Sequence, residues 1–193
     1  MHRQDLLLRL HHYQPAFIEE HSFKQRAIGY ISDNPDCFER EHGPFHITAS
    51  TWVVNPDRSK VMMVHHGKLH QWFQPGGHAD GDADVLRVAL KETHEESGID
   101  ASQIRLLSQD IFDLDLHHIP LVNGVPAHSH FDIRFLVEID DRLAVPGSHE
   151  SHEVRWIDLF RVTAFNNNRS TFRMVDKTRR LRAFDAADLR FGS

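Results

Sequence analysis

Along the first half of the chain the hydrophobic residues recur first at helical spacing and then in segments typical of strands. This pattern predicts helices followed by strands. Between residues 4 and 28 the apolar residues recur at helical spacing, and Pro15 divides the stretch into one or two amphipathic helices. Residues 32–45 are a polar connection. The segments ITASTWVV and KVMMVHH then predict two strands joined by the turn residues 55–58. Residues 71–77 predict a short strand that runs into a Pro-Gly-Gly turn.

The second half of the chain predicts further strands and a closing helix. Strands are expected near residues 104–112 and 131–139, with a loop rich in proline and glycine between them. Residues 154–157 predict a short strand, and residues 169–185 predict the last helix. No internal repeat or low-complexity segment interrupts this order.

The segment over residues 85–97 predicts an amphipathic helix with an acidic face. Gly98 follows it as a left-handed C-cap would, and one side carries an apolar stripe: Val85, Val88 and Ala89. Glu92, Glu95 and Glu96 stand at positions i, i+3 and i+4, so their carboxylates share one helix face. Like charges this close repel one another unless a divalent cation or basic partners hold them. The spacing therefore predicts a magnesium or manganese site.

The segment from Gly77 to Ile99 resembles the signature of the Nudix hydrolases. That signature is a Gly, five residues, a Glu, seven residues and then Arg-Glu-aliphatic-x-Glu-Glu-x-Gly-aliphatic. The matching positions are Gly77, Glu92, Glu95, Glu96, Gly98 and Ile99. The chain departs from the signature at three positions: Ala83 replaces the first Glu, Lys91 replaces the Arg, and Thr93 replaces an aliphatic residue. Because the family pairs that Glu with that Arg, either Asp82 or Asp84 is available to meet Lys91 here.

The resemblance implies an α+β fold, a Nudix-like α/β/α sandwich with a mixed β-sheet and an N-terminal helical extension. We expect the extension over residues 1–45 and the hydrolase domain, including the C-terminal helix, over residues 46–193. The implied function is a divalent-metal-dependent hydrolase that cleaves a diphosphate bond by attack of a metal-activated water. Its cofactor would be Mg²⁺ or Mn²⁺, and its substrate a small-molecule diphosphate such as a nucleoside diphosphate linked to another moiety.

The same resemblance assigns roles to individual residues. The metal ligands would be Glu92, Glu95 and Glu96, and the residues that support the turn and helix would be Gly77, Lys91 and Gly98. It suggests Glu92 as the general base. Some family members take a glutamate from a later loop, where Glu150 and Glu153 are available in this chain. Of these two, we favour Glu150 as an additional ligand or base.

Histidines form the second chemical signal, with 17 in the chain. The alternation of a strand would put His128, His130 and Asp132 on one face. Such a trio can bind zinc or a similar transition metal. It can equally line a polar cavity through hydrogen bonds. The sequence leaves both interpretations open.

His46 and His78 are placed like two metal ligands of the isopentenyl diphosphate isomerases, which share the Nudix fold. In those enzymes a cysteine directly precedes the Gly-His pair that follows the turn. Here Gly76 stands in that place and Cys37 lies far away in sequence. The missing thiol favours hydrolysis. A histidine-bound transition metal stays open, with these candidate ligands: His46, His78, His128 and His130.

Composition and charge exclude several classes of protein. The chain has 193 residues, of which 40% are hydrophobic, so it can bury the core of one domain with an extension. Its net charge of -6 argues against nucleic acid or anionic membranes as partners, while a phosphate ester held through a metal is compatible with it. One cysteine excludes an internal disulfide, and no stretch is typical of a signal peptide or a membrane span. We therefore expect a cytoplasmic protein, and a homodimer stays open.

Two other functions compete with hydrolysis at this stage. One is an isomerase-like activity on an allylic diphosphate, and the other is a non-catalytic ligand sensor built on the same fold. The retained glutamates argue against the sensor, because a binding module has no need of a crowded acidic face. Substrate-binding residues cannot be assigned from the sequence.

Overall fold

One mixed sheet forms the centre of the fold. The structure is a computed structural model that describes residues 3–40, 44–67, 70–121, 126–147 and 151–191, with the backbone alone at 151, 152 and 185–191. Within this part, eight strands join in one sheet with the order β3-β2-β1-β7-β5, to which β4 adds on β1, β6 on β7 and β8 on β2. The strands are β1 (Phe45–Val54), β2 (Lys60–His66), β3 (Gln71–Phe73), β4 (Gly76–His78), β5 (Arg105–Leu106), β6 (Asp113–Ile119), β7 (His128–Glu138) and β8 (Ser151–Asp158).

The sheet is mixed because its two longest strands run parallel. β1 and β7 pair in parallel over ten residues, from Phe45 opposite Ser129 to Val54 opposite Glu138, whereas the other pairings are antiparallel. The helices are α1 (Gln4–His12), α2 (Ile18–Asp33), α3 (Val85–Ser97), α4 (Val162–Phe165) and α5 (Arg169–Phe191). In the described part, none of them combines the length and apolar character needed to cross a bilayer.

Helices cover both faces of the sheet. On one face, residues of β1 and β7 join a core with α3; these residues are Ile47, Ala49, Ile133, Val85, Val88 and Ala89. On the other face, Trp52 and Leu136 pack with Met174 of α5, and Trp52 Nε1 donates to Thr178 Oγ1 at 2.8 Å. This arrangement is the expected α/β/α sandwich.

The two N-terminal helices share the core of the sheet. Leu6 and Leu10 of α1 and Ala27 and Ile31 of α2 are fully buried in the same cluster as β1. Glu20 of α2 is also buried and forms an ion pair with Lys177 of α5. The helical extension is therefore packed against the rest of the chain, and its boundary near residue 45 stays a proposal.

Several elements differ from the sequence prediction. α2 continues to Asp33, and residues 76–78 form a strand on β1 where a turn was expected. The strand expected near residues 104–112 is shorter than predicted: Arg105–Leu106 pair with β7 as β5, and beyond them Leu107 and Phe112 each donate one backbone hydrogen bond to β7. β6 was missed since its alternate residues, Asp113 and Asp115, have the composition of a loop. These two acids are buried because arginines pair with them.

Candidate active site

The acidic helix α3 is fixed at both ends by its own residues. The side chain of Asp84 accepts a hydrogen bond of 3.1 Å from the backbone N of Arg87 and so caps the first turn. Gly98 has φ +70° and donates to His94 O at 2.9 Å, which closes the last turn as predicted. Both ends of α3 are therefore fixed by residues of the chain itself, without a ligand.

Two of the three glutamates lie against the strand β4. Glu96 Oε2 accepts a hydrogen bond of 3.0 Å from the backbone N of Gly76. At the next residue, a Cβ atom built on Gly77 would lie 2.5 Å from Cδ of Glu92. A glycine is therefore needed at residue 77 for the carboxylate of Glu92 to approach the strand this closely.

Glu95 is the exposed one of the three glutamates and meets Lys91. Lys91 Nζ lies 3.0 Å from Glu95 Oε2 and 3.7 Å from Glu92 Oε1, and the Glu95 side chain is 47% exposed. The expected contact of Lys91 with Asp82 or Asp84 is absent from the ion pairs of the described residues. Instead, Arg87 lies 2.6 Å from Asp82 Oδ1 and 3.9 Å from Asp84 Oδ2, because it stands one helical turn closer to them.

Thr93, which replaces an aliphatic residue, has its hydroxyl satisfied in the core. Its side chain is fully buried, and Thr93 Oγ1 lies 2.6 Å from Thr51 Oγ1 of β1. The same hydroxyl donates to Ala89 O at 2.7 Å. The departure from the signature is thus matched by a second threonine on the facing strand.

Polar residues form three rows across β1, β7 and β6 on the face that looks toward α5. Residues paired directly across a ladder point to the same side, and the rows follow this register. They are His46, His130 and His117, then Thr48, Asp132 and Asp115, and finally Ser50, Arg134 and Asp113. The prediction that His128, His130 and Asp132 share a face agrees with this register.

The first row belongs to a histidine cluster of five rings: His46, His78, His117, His128 and His130. The centroid of the His46 ring lies 4.4 Å from that of His130, 4.8 Å from that of His128 and 5.0 Å from that of His78. Burial, reinforced by neighbouring positive charge, lowers the pKa of His46 and His78 to about 4 and that of His130 to about 2. These three imidazoles are therefore neutral at pH 7 and keep a free lone pair.

Asp132, at the centre of the second row, is held by four donors. Its Oδ1 accepts from Thr48 Oγ1 at 3.1 Å, and its Oδ2 accepts from Ser50 Oγ at 3.0 Å and from Gln74 Nε2 at 3.2 Å. Arg134 Nε donates to the same Oδ2 at 2.7 Å. These bonds account for the burial of this carboxylate beneath the cleft.

The third row leads into a buried ion network. Arg134 Nη1 lies 3.1 Å from Asp113 Oδ2, and two cations of α5 reach the same carboxylate: Arg173 at 3.1 Å and Lys177 at 2.7 Å. Arg173 also lies 2.8 Å from Asp115 Oδ1. Sequence reasoning missed this network, although the alternating acids of β6 and the i, i+4 spacing of Arg173 and Lys177 are its signal.

A cleft of about 940 Å³ opens over the polar rows and reaches the acidic helix. Its lining includes Glu96, His78 and His130 as well as aromatic and basic side chains: Phe23, Phe73 and Arg169. The volume is in the range of small-molecule sites. The cleft therefore combines acidic, imidazole, aromatic and basic side chains in one lining.

The NUDIX domain model matches residues 44–177, which is more than half of the chain. The chain belongs to the NUDIX family. Among curated relatives, it is 32% identical over 92 residues to the asymmetrical bis(5'-nucleosyl)-tetraphosphatase of Mus musculus, covering 47% of this chain and 58% of that protein. It is 26% identical over 99 residues to a probable DHNTP pyrophosphohydrolase of Lactococcus lactis, covering 51% and 57%. The chain thus spans little more than half the length of these relatives.

Solved structures support the NUDIX fold. A C. elegans Ap4A hydrolase binary complex superposes with a TM-score of 0.55 at 20% identity, covering 73% of this chain and 98% of that one. The E. coli dihydroneopterin triphosphate pyrophosphohydrolase gives a TM-score of 0.56 at 16% identity, covering 68% and 92%. At these identities the likeness concerns the fold.

The glutamates of the NUDIX signature fit a divalent cation by their chemistry. Carboxylate oxygens are the ligands that Mg²⁺ and Mn²⁺ prefer, and divalent metals are general in the family. Glu92 lies against Gly77, and Glu96 accepts a hydrogen bond from the backbone of Gly76. Strand β4 therefore positions both carboxylates. Glu150 lies outside the described residues. Glu153, the other candidate base, forms an ion pair with Arg155 on β8.

Proposed function

We propose that this chain is a divalent-metal-dependent hydrolase that cleaves a diphosphate bond in a small organic diphosphate or polyphosphate. The observation that carries the proposal is the position of Glu92 and Glu96 of the NUDIX helix against Gly77 and Gly76. Of these two glutamates, Glu96 also lines the cleft. A signature helix that had lost its function would not need to keep these carboxylates so tightly placed.

The substrate class is supported by the relatives and by the residues that line the cleft. The mouse relative is named for a bis(5'-nucleosyl)-tetraphosphate, and the Lactococcus relative for DHNTP. The first name denotes nucleosyl groups joined by a tetraphosphate. Phe23 and Phe73 in the lining of the cleft offer a nucleobase a surface for stacking. A nucleoside diphosphate linked to another moiety therefore heads the order of candidates.

Glu92, Glu95 and Glu96 would hold Mg²⁺ or Mn²⁺. When bound, the cation would neutralise negative charge on the phosphates and lower the pKa of a bound water. Glu92 is the residue proposed to accept the proton of the attacking water. Its side chain is 18% exposed, so it is partly shielded from solvent. Arg169 lines the cleft, is exposed and pairs with Glu19 at 2.9 Å; it is proposed as a contact for a substrate phosphate.

An isomerase-like reaction is disfavoured by the position of the thiol. Cys37 is fully buried in the core shared by α1, α2 and β1, and burial raises its pKa to about 11. It is not among the residues that line the cleft. No thiol of the described part can therefore shuttle a proton to a substrate bound there.

The proposal is tested by incubation with a panel of diphosphates in the presence of Mg²⁺ or Mn²⁺. The panel contains nucleotide sugars, dinucleoside polyphosphates, ADP-ribose and isopentenyl diphosphate, and the readout is phosphate-containing product. We expect metal-dependent cleavage of at least one nucleotide, a large loss in Glu96→Gln and Glu92→Gln, and near-normal turnover in the control Glu153→Gln. Turnover that persists in Glu96→Gln would overturn the metal site, and ligand binding without turnover across the panel would favour the sensor.

A further inference from the structure

Three histidines from three different strands converge on one point. His46 is the second residue of β1, His78 ends β4, and His130 lies on β7 directly opposite His46 in the register. One ring nitrogen of each lies within 4.8 Å of the corresponding atoms of the other two. These residues are far apart in the sequence, so the convergence is a product of the fold.

His46 is buried with both ring nitrogens unsatisfied by the described residues. The residue is 4% exposed, and neither Nδ1 nor Nε2 has a hydrogen-bond partner there. A buried polar nitrogen without a partner destabilises the fold. The neighbouring rings present further nitrogens to the same space instead of an apolar surface, so the site is built to receive a group that binds nitrogen lone pairs.

His128 stands beside this point in an oriented tautomer. Its Nδ1 lies 2.8 Å from Pro126 O, and because a carbonyl oxygen can only accept, this nitrogen carries the proton of the neutral ring. In that tautomer its Nε2 carries the lone pair and accepts a hydrogen bond of 3.1 Å from Nε2 of His130. A histidine whose second nitrogen is held by a backbone carbonyl is the usual arrangement of a metal ligand.

We propose that His46, His78 and His130 form a binding site for a transition-metal ion of the Zn²⁺ type, with His128 placed to complete the coordination. Imidazole nitrogens suit zinc and its neighbours, whereas Mg²⁺ and Mn²⁺ prefer the oxygens of the glutamates. Around a tetrahedral zinc with bonds of about 2.0–2.1 Å, ligand nitrogens stand about 3.4 Å apart. The three nitrogens, which lie within 4.8 Å of one another, would have to close to that distance when the ion binds.

The proposed site is separate from the carboxylates but opens into the same cleft. His78 and His130 line the cleft together with Glu96, which gives an ion a path from solvent. His78 directly follows Gly77, whose backbone faces Glu92. This inference goes beyond the proposed hydrolysis and does not rest on it, because an ion can bind the histidines whether or not the glutamates support turnover.

The test is titration of chelator-treated protein with Co²⁺, whose visible absorption reports nitrogen coordination of low symmetry. We expect one Co²⁺ per chain at this site, displaced by Zn²⁺, with binding weakened by about tenfold or more in His78→Gln and His130→Gln. The matched control is His118→Gln, since His118 lines the same cleft but lies outside the cluster. Glu96→Gln should keep the spectrum, although it loses hydrolysis if the proposed function holds.

Two results would overturn the proposal. One is Co²⁺ binding that the two histidine variants leave unchanged or that Glu96→Gln abolishes, because the ion would then sit on the carboxylates. The other is the absence of stoichiometric binding, which would mean that the rings only hydrogen-bond with one another. X-ray absorption of the Zn²⁺-loaded wild type decides the matter even if a variant does not fold. At least three nitrogen ligands are expected, and an oxygen-only shell contradicts the site.

Discussion

Gly77 and Glu92 approach so closely that a Cβ atom on Gly77 would lie 2.5 Å from the carboxyl carbon of Glu92. The strand β4 and the helix α3 are thereby fixed to each other at the point where the signature begins. In the same way, Gly76 binds Glu96 through its backbone N. The two glycines of β4 thus position two of the three proposed metal ligands.

Substitution of the two glycines should separate catalysis from stability. In Gly77→Ala the new methyl group displaces the flexible carboxylate of Glu92, so we expect stability within about 1 kcal/mol of wild type and kcat lower by about 100-fold. In Gly76→Ala the methyl group would lie 2.3 Å from Ser50 Cβ and 2.7 Å from Ser50 Cα. Backbone must then shift, and stability should fall by about 1–3 kcal/mol. Equal loss of stability in both variants would contradict this account. Urea unfolding and steady-state kinetics provide the two readouts.

Lys91 should weaken metal binding at the glutamates. Its ammonium group lies 3.0 Å from Glu95 and 3.7 Å from Glu92, where it partly neutralises the charge that attracts a cation. Removal of an exposed ion pair of this kind is worth about 0.2–1 kcal/mol, so Lys91→Gln should bind Mg²⁺ up to about fivefold more tightly. The control Arg87→Gln, which loses a pair with Asp82, should leave the Mg²⁺ affinity unchanged. Calorimetric titration measures both, and weaker binding in Lys91→Gln would refute the assignment.

The hydroxyls of Thr51 and Thr93 should make strongly coupled contributions to the free energy of unfolding. Thr93→Val leaves the buried hydroxyl of Thr51 without its partner at 2.6 Å, which should cost about 1–3 kcal/mol. The double variant Thr51→Val/Thr93→Val removes both hydroxyls and restores the aliphatic residue of the signature, so it should recover much of that loss. Urea unfolding of the four proteins gives the coupling energy. Additive losses would show that the two hydroxyls do not depend on each other.

The buried network predicts a loss of stability in acid. Burial tends to raise the pKa of Asp115, but Arg134, His117 and Arg173 outweigh it and hold the pKa well below its usual range. A carboxylate with a depressed folded pKa contributes stability above its unfolded pKa of about 3.9, and that contribution is lost as the pH falls toward the folded value. Asp115→Asn should therefore be less stable at pH 7, by about 3–5 kcal/mol, and depend less steeply on pH below 4. Unfolding at several pH values checks this, and parallel pH curves for the two proteins would argue against it.

The sequence was sufficient for the parts of the fold in which periodicity and chemistry agree. α3, its caps and the strands β1 and β2 follow from apolar spacing, turn residues and a glycine C-cap. β6 does not, because Asp113 and Asp115 are typical of loops until the partners on β7 and α5 are known. The convergence of His46, His78 and His130 was likewise a hypothesis, since only the register of β1 with β4 and β7 brings them together.

The positions of the carboxylates could be predicted only in part. Helical spacing put Glu92, Glu95 and Glu96 on one face, but it could not show that Glu95 turns to Lys91 while Glu96 binds Gly76. Lys91 pairs within its own helix because Arg87 already occupies the acids of the preceding loop. Such competition among neighbouring charges depends on side-chain reach, which spacing alone does not determine.

The most direct test of the central claim is hydrolysis of the nucleotide substrate in water enriched in ¹⁸O, followed by mass spectrometry of both products. The account predicts one ¹⁸O atom in a phosphate group of one product, formed only when Mg²⁺ or Mn²⁺ is present and strongly reduced in Glu96→Gln. Product formed equally well with a chelator in place of the metal, or product without ¹⁸O, would contradict cleavage of a diphosphate bond by water at the glutamates of α3.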